Sequence, residues 1–213
     1  MPIRKETLVT GEVYHIFNKS IAGFKIFNNQ LDFSRFVEVI RYYQKEKPSI
    51  CFSNFIKAKQ DFSSGETVVE IIAYCVMPTH FHLVLRQLKD NGITVFIGNV
   101  LNSYARYFNI KYKRKGPLWQ GRFKNVLVEN EDQLLHLTRY IHLNPVTGYL
   151  VNKPEEWMVS SYREYLSECN SENSLCNYSN ILQIDSSSYK KFVEDHISYQ
   201  RELARIKDLI IED

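Results

Sequence analysis

Nothing in this 213-residue sequence approaches the run of about eighteen apolar residues that a membrane span requires. Residues 1–10 also lack the apolar core of a secretory signal, so a soluble, cytoplasmic protein is expected. The four cysteines, Cys51, Cys75, Cys169 and Cys176, form no CxxC pair, which removes the usual zinc-site and dithiol redox patterns. They read as reduced thiols, with Cys75 in an apolar run that marks it as core. No internal repeat or low-complexity tract is present, although residues 167–188 are rich in Ser and Asn and poor in large apolar side chains. Net charge is also small, at +3, and so names no partner by itself. Its distribution says more: Lys111, Lys113, Arg114, Lys115, Arg122 and Lys124 crowd one stretch, interleaved with Tyr112, Trp119 and Phe123. Such a run is either a solvated loop or a surface for nucleic acid.

What is present is ample core material, with 44% hydrophobic residues, and a pattern that alternates between strand and helix. Strands are predicted at Val13–Asn18, Val68–Met77, His80–Arg86 and Phe123–Val128. Helices are predicted over Asp32–Lys47, stopped by Pro48, and over Gly92–Ile110. A further helix is predicted over Gln133–Leu143, capped by Asn130 or Asp132 and ended by Pro145. Residues 51–66 read as a loop or irregular insertion. The order β, α, β, β, α, β, α, with two central strands joined by a brief break at Pro78 and Thr79, predicts an α+β fold with a ferredoxin-like split sheet. Residues 1–165 would form this domain, residues 166–188 a linker or loop, and residues 189–213 a C-terminal helical extension. That extension carries apolar residues at Phe192, Val193, Ile197, Leu203, Ile206 and Ile210, either to pack back on the domain or to meet a partner. A fold of this class hosts many functions and does not choose among them.

Two local patterns carry chemistry. In the strand at residues 80–86, alternation puts His80 and His82 on one face while Phe81 anchors in the core, so that two imidazoles can reach one cation. In the helix at residues 133–143, Tyr140 and Asn144 lie four residues apart and share a face, with His136 one turn earlier. Each pattern alone is common in ordinary sheets and helices. Together they complement one another, because a phenol titrates near ~10 and attacks at neutral pH only with help from a metal or a base. A divalent ion held by His80, His82 and the side-chain oxygen of Asn144 would polarise a phosphate oxygen as Tyr140 attacks. Pro145 biases Asn144 away from helical dihedrals, an effect that would turn its side chain toward the sheet.

The segment from Ala73 to Leu85, AYCVMPTHFHLVL, resembles the histidine-hydrophobic-histidine signature of the HUH single-tyrosine transposases, and especially the branch of REP-associated tyrosine transposases. Further blocks match in the same order: Tyr14–Asn18 (YHIFN), Ser103–Asn109 (SYARYFN), Gly116–Lys124 (GPLWQGRFK), Arg139–Pro145 (RYIHLNP) and Trp157–Tyr162 (WMVSSY). The resemblance covers roughly residues 10–165. It implies metal ligation by His80 and His82, Tyr140 as nucleophile and Asn144 as third metal ligand. It also implies Mg²⁺ or Mn²⁺, whereas imidazole ligands alone equally admit Zn²⁺ or Ni²⁺. The implied reaction is cleavage and rejoining of single-stranded DNA near a hairpin, through a 5′-phosphotyrosine.

Arg106, Lys113, Arg114, Arg122 and Lys124 are the expected phosphate contacts, and Trp119 the expected stacking platform for an unpaired base. Tyr104 and Tyr107 are rival nucleophiles, ranked second; His15, His136 and His142 are expected to be structural or peripheral. Two other readings of the chain remain open: a domesticated, non-catalytic nucleic-acid-binding protein, and a phosphodiesterase that uses water. Relatives of this kind act as monomers or as homodimers that exchange the tyrosine helix, and the sequence does not choose between them.

Overall fold

The computed structural model describes residues 7–46, 50–58, 65–167 and 174–211, with side chains to residue 205. The expectations for Pro48 as a helix stop, for Cys169, and for the side chains of Ile206 and Ile210 lie outside the described residues. Four strands, β1 (Val13–Lys19), β2 (Val69–Val76), β3 (His80–Gln87) and β4 (Lys124–Val128), form one sheet in the order β2-β3-β1-β4, antiparallel throughout. The helices are α1 (Gln30–Tyr43), α2 (Phe52–Ala58), α3 (Gly92–Lys111), α4 (Glu131–Thr147), α5 (Tyr162–Tyr165), α6 (Ser186–Glu194) and α7 (Ile197–Ile211). This is the predicted split sheet, in which each β-α-β half leaves a gap that the other half fills.

Strand alternation assigns each residue to one of two cores. On one face, Tyr14 and Ile16 of β1 and Phe81, Leu83 and Leu85 of β3 meet Phe36 of α1 and Phe96, Val100 and Tyr104 of α3. On the other, Cys75 and Val84 meet Leu134, Ile141 and Val146 of α4. His82 is the register partner of Cys75, so it faces α4 rather than α1 and α3. An extra residue, Ile72, interrupts the β2–β3 register between Ile71 and Ala73 and lets both faces of β2 stay apolar.

The free edge of β2 is covered by residues 159–161: Val76 N donates to Val159 O, Ser161 N to Tyr74 O, and Trp157 Nε1 to Val76 O. From there Tyr162, Tyr165 and Tyr189 enter the core under α4, and Leu175 and Leu182 are buried as well. His142 of α4 ties this part together, with Nδ1 2.6 Å from Tyr189 Oη and Nε2 2.7 Å from Ser161 Oγ. The segment after residue 174 thus packs back on the sheet domain.

Three sequence expectations need correction. Residues 52–58, expected as loop, form α2, because Phe52 and Phe55 share one face of a helical turn and bury it against Tyr42. Helix α1 starts two residues before the expected Asp32, where the Asn29 side chain accepts from Asp32 N, and it ends at Tyr43. Pro145 does not end α4, which runs on to Thr147. Gly148 N donates to Asn144 O and Leu150 N to Pro145 O, while Pro145 and Val146 are buried, and these terms offset the hydrogen bond that proline cannot donate.

Candidate active site

A cleft of about 560 Å³ opens where β1, β3, the loop before β4 and α4 meet; Lys19, His80, His82, Arg122, Lys124 and Tyr140 all line it. Its floor follows from the parity of β3. Because Phe81 points into the α1–α3 core, His80 and His82 point to the α4 side, with ring centroids 5.2 Å apart and planes at 89°. Its wall follows from the course of α4. The Asn130 side chain accepts from Gln133 N and fixes the start of the helix; Leu134 and Ile141 bury its apolar stripe, and Tyr140, next to Ile141, is left 45% exposed at the rim. The Tyr140 ring stands edge-on to His82, with centroids 5.9 Å apart and planes at 85°.

Both histidines are neutral at neutral pH. Burial lowers His82 well below the ordinary imidazole value, aided by the neighbouring His15 and His80. Burial also lowers His80, with Lys19 adding to the effect. Their Nδ1 atoms are engaged: His80 Nδ1 lies 3.0 Å from Thr79 Oγ1, and His82 Nδ1 lies 2.9 Å from His15 Nε2. Among the described residues, neither Nε2 has a hydrogen-bond partner. Two neutral imidazoles with engaged Nδ1 atoms and uncommitted Nε2 atoms are a donor set that suits a divalent cation. Among the described residues, no group of three or more His, Cys, Asp or Glu side chains is placed to hold a metal ion.

Asn144 lies one turn beyond Tyr140, and its Nδ2 donates to the Tyr140 carbonyl at 3.1 Å. It lines a second cleft of about 390 Å³, between α4 and α7, with Arg139, His196 and Tyr199; Tyr140 is the wall that the two clefts share. Since α4 continues through Pro145, Asn144 keeps its helical place and is not turned toward the sheet as expected.

The rival tyrosines are committed to structure. Tyr104 is fully buried and donates to Ile26 O at 2.6 Å, and burial pushes its phenol far up. Tyr107 donates to the buried carboxylate of Asp32, which also receives Lys111 and Tyr112. Lys111 therefore leaves the expected run of free cations. Trp119 corrects another expectation: its indole is 9% exposed, packs on Phe36, Phe81 and Tyr104, and donates to Leu101 O, so it presents no open stacking face. Arg122 and Lys124 do reach the cleft. Lys113 and Arg114 line a separate cleft with Lys25 and Phe24, and Arg106 is exposed on α3.

The histidine pair and Tyr140 are legible as motifs, whereas His15, expected to be structural or peripheral, lies against His82 at the edge of the site. Its signal was parity alone, since in β1 it alternates with the buried Tyr14 and Ile16 and so faces α4.

Comparison with known proteins adds to this geometry. Residues 52–144 match the family model described as Transposase IS200 like, and that segment includes His80, His82, Tyr140 and Asn144. A curated protein of Haemophilus influenzae, named as a REP-associated tyrosine transposase, is 29% identical over 104 residues. The match covers 44% of this chain and 58% of that protein, so the chain spans less than two thirds of that relative's length. The structure of a REP-associated tyrosine transposase bound to a REP hairpin aligns with a TM-score of 0.55 at 16% identity, over 84% of this chain and 93% of that one, which shows a shared fold. On these comparisons, residues 52–144 of this chain are similar in sequence to IS200-like transposases, and the chain shares its fold with a REP-associated tyrosine transposase.

Proposed function

We propose that this protein is a transposase-type single-strand DNA endonuclease and strand transferase, with Tyr140 as its nucleophile. The observation that carries the reading is the meeting of the Tyr140 ring with His82, at 5.9 Å, in a cleft that also contains His80. The phenol Oη attacks phosphorus, the bond from phosphorus to the 3′ oxygen breaks, and the 5′ phosphate stays on the tyrosine as an ester. In net terms the phenolic proton is exchanged for a bond to phosphorus, and the released 3′ oxygen takes up a proton. Attack by another 3′ hydroxyl reverses the step and joins strands without an external energy source.

His80 and His82 would hold a divalent ion, Mg²⁺ or Mn²⁺, through Nε2, and Asn144 would supply a third, neutral ligand only after its side chain leaves the α4–α7 cleft and its bond to the Tyr140 carbonyl. Such an ion would supply Lewis-acid stabilisation for the charge that builds on the phosphate oxygens. Lys19, Arg122 and Lys124 line the same cleft and favour an anionic strand there. Tyr140 and His82 meet within one chain, which supports action of the tyrosine in cis. The hairpin bound by the structurally similar transposase supports hairpin-bearing single-stranded DNA as the substrate class.

Tyr140→Phe removes the nucleophile and keeps the ring against His82. The variant is expected to bind a hairpin-bearing oligonucleotide as the parent does and to cut none of it, by gel assay with Mn²⁺ present. Cleavage at the same position by the variant would transfer the reaction to water. Binding without cleavage by both proteins would make the chain a non-catalytic nucleic-acid-binding protein.

A further inference from the structure

The contact between His15 and His82 is one that the proposed reaction does not use. Their nitrogens lie 2.9 Å apart, and the rings stack with centroids at 5.1 Å and planes at 20°. Phe17, next on the same face of β1, packs against both rings, at 4.9 Å from His15 and 5.9 Å from His82. The imidazole of His82 therefore has little freedom to turn.

A hydrogen bond between two imidazole nitrogens needs one proton and one lone pair, so two arrangements are open. If His15 Nε2–H donates, His82 carries its own proton on Nε2 and presents it to the cleft. If His82 Nδ1–H donates, the Nε2 lone pair faces the cleft instead. The cleft is lined by Lys19, Arg122 and Lys124, and positive charge there favours the exposed lone pair over an exposed N–H. Packing alone does not ask for histidine at position 15, where a branched apolar residue fills the same space without desolvating two ring nitrogens.

We infer that His15 is a positioning residue for His82: it accepts the Nδ1 proton, fixes the tautomer and turns the Nε2 lone pair into the cleft. This rests on the proposed role of His82 as a metal ligand for its purpose, but the tautomer itself is a property of the metal-free chain. Thr79 Oγ1, 3.0 Å from His80 Nδ1, stands in the corresponding place for the other imidazole. The two ligands would then be oriented by different partners, one a ring from the neighbouring strand and one a hydroxyl from the adjoining turn.

The test uses the full chain at pH 8 without metal, with ¹⁵N-labelled histidine, and reads the His82 ring nitrogens in long-range ¹H–¹⁵N spectra. His82 is expected as a single Nδ1–H tautomer in the parent. His15→Leu, which keeps the volume and removes the acceptor, should give a mixture or the Nε2–H form. His15→Gln, whose side-chain oxygen can accept the same proton, should restore the parent signature. Mn²⁺ titration of the same three proteins should show affinity lowered roughly 10–100-fold in His15→Leu and recovered in part in His15→Gln. An Nε2–H tautomer in the parent, or an unchanged Nδ1–H tautomer in His15→Leu, overturns the inference. Absence of Mn²⁺ binding to the parent, with the tautomer behaving as described, would instead count against the proposed nuclease function and leave the positioning contact in place.

Discussion

His142→Asn isolates a group whose titration acts on the fold rather than on the cleft. His142 is fully buried, each ring nitrogen faces a hydroxyl, and burial lowers its pKa from 6.5 to about 3. Above pH ~6.5 the ring is neutral in both folded and unfolded chains and adds no pH dependence. Below that value the unfolded chain takes up a proton that the folded chain refuses. Each unit of acidification down to about pH 3 thus costs about 1.4 kcal/mol of stability, or about 2 kcal/mol by pH ~5. Asparagine offers a donor and an acceptor to Tyr189 and Ser161 but does not titrate. At pH ~7.5 the variant should be less stable by about 1–3 kcal/mol, because its shorter side chain meets the two hydroxyls imperfectly. That deficit should shrink by about 2 kcal/mol as the pH falls to ~5, since only the parent carries the acid penalty. Urea unfolding of both proteins at several pH values measures this directly. A deficit that stays constant across the range would refute the burial of a neutral imidazole at this joint.

Asp32→Asn should destabilise by about 3 kcal/mol in urea unfolding, because the buried carboxylate receives Lys111, Tyr107 and Tyr112 and its loss leaves the Lys111 ammonium unmatched. Trp119→Ala should cost about 3–5 kcal/mol by opening the α1–α3 core, whereas Trp119→Phe, folded at low temperature, should bind single-stranded DNA like the parent; a selective loss of binding in the latter would restore a stacking role. Replacing Arg122 and Lys124 together by alanine should weaken binding and lower the salt slope of single-strand affinity by about 0.7 for each phosphate contact removed. Fluorescence anisotropy across a salt series reads both effects, and an unchanged slope would place the strand elsewhere.

Much of the fold was legible because its signals are local. Alternation set the strands, the break at Pro78 and Thr79 set the β2–β3 turn, and of the two candidate caps, Asn130 and Asp132, it is Asn130 that starts α4. Helix α2 escaped because its amphipathic signal is only Phe52 and Phe55 within a polar stretch, a pattern too short to outweigh its surroundings. Pro145 misled because its missing donor matters less than the burial of Pro145 and Val146 in the last turn. For the site, the sequence placed His80 and His82 on one face and Tyr140 on one helix. Their meeting in one site is expected from their chemistry and from the family resemblance, whereas the geometry of that meeting requires α4 to cross the sheet face opposite α1 and α3. Trp119 was misread for the same reason: aromatic residues in a basic loop look like nucleic-acid contacts until the packing of Phe36, Phe81 and Tyr104 is known. His15 was invisible as a partner of His82 because β1 and β3 are neighbours only in the sheet, not in the chain.

The most direct test of the account is the chemical identity of a trapped intermediate. The parent protein, incubated with Mn²⁺ and hairpin-bearing single-stranded DNA, should yield a covalent adduct that survives denaturing electrophoresis. Protease and nuclease digestion followed by mass spectrometry should then find the nucleotide 5′ phosphate on Tyr140. Cleaved DNA with no adduct, or an adduct on any other residue, would contradict the assignment of Tyr140 as the nucleophile beside His80 and His82.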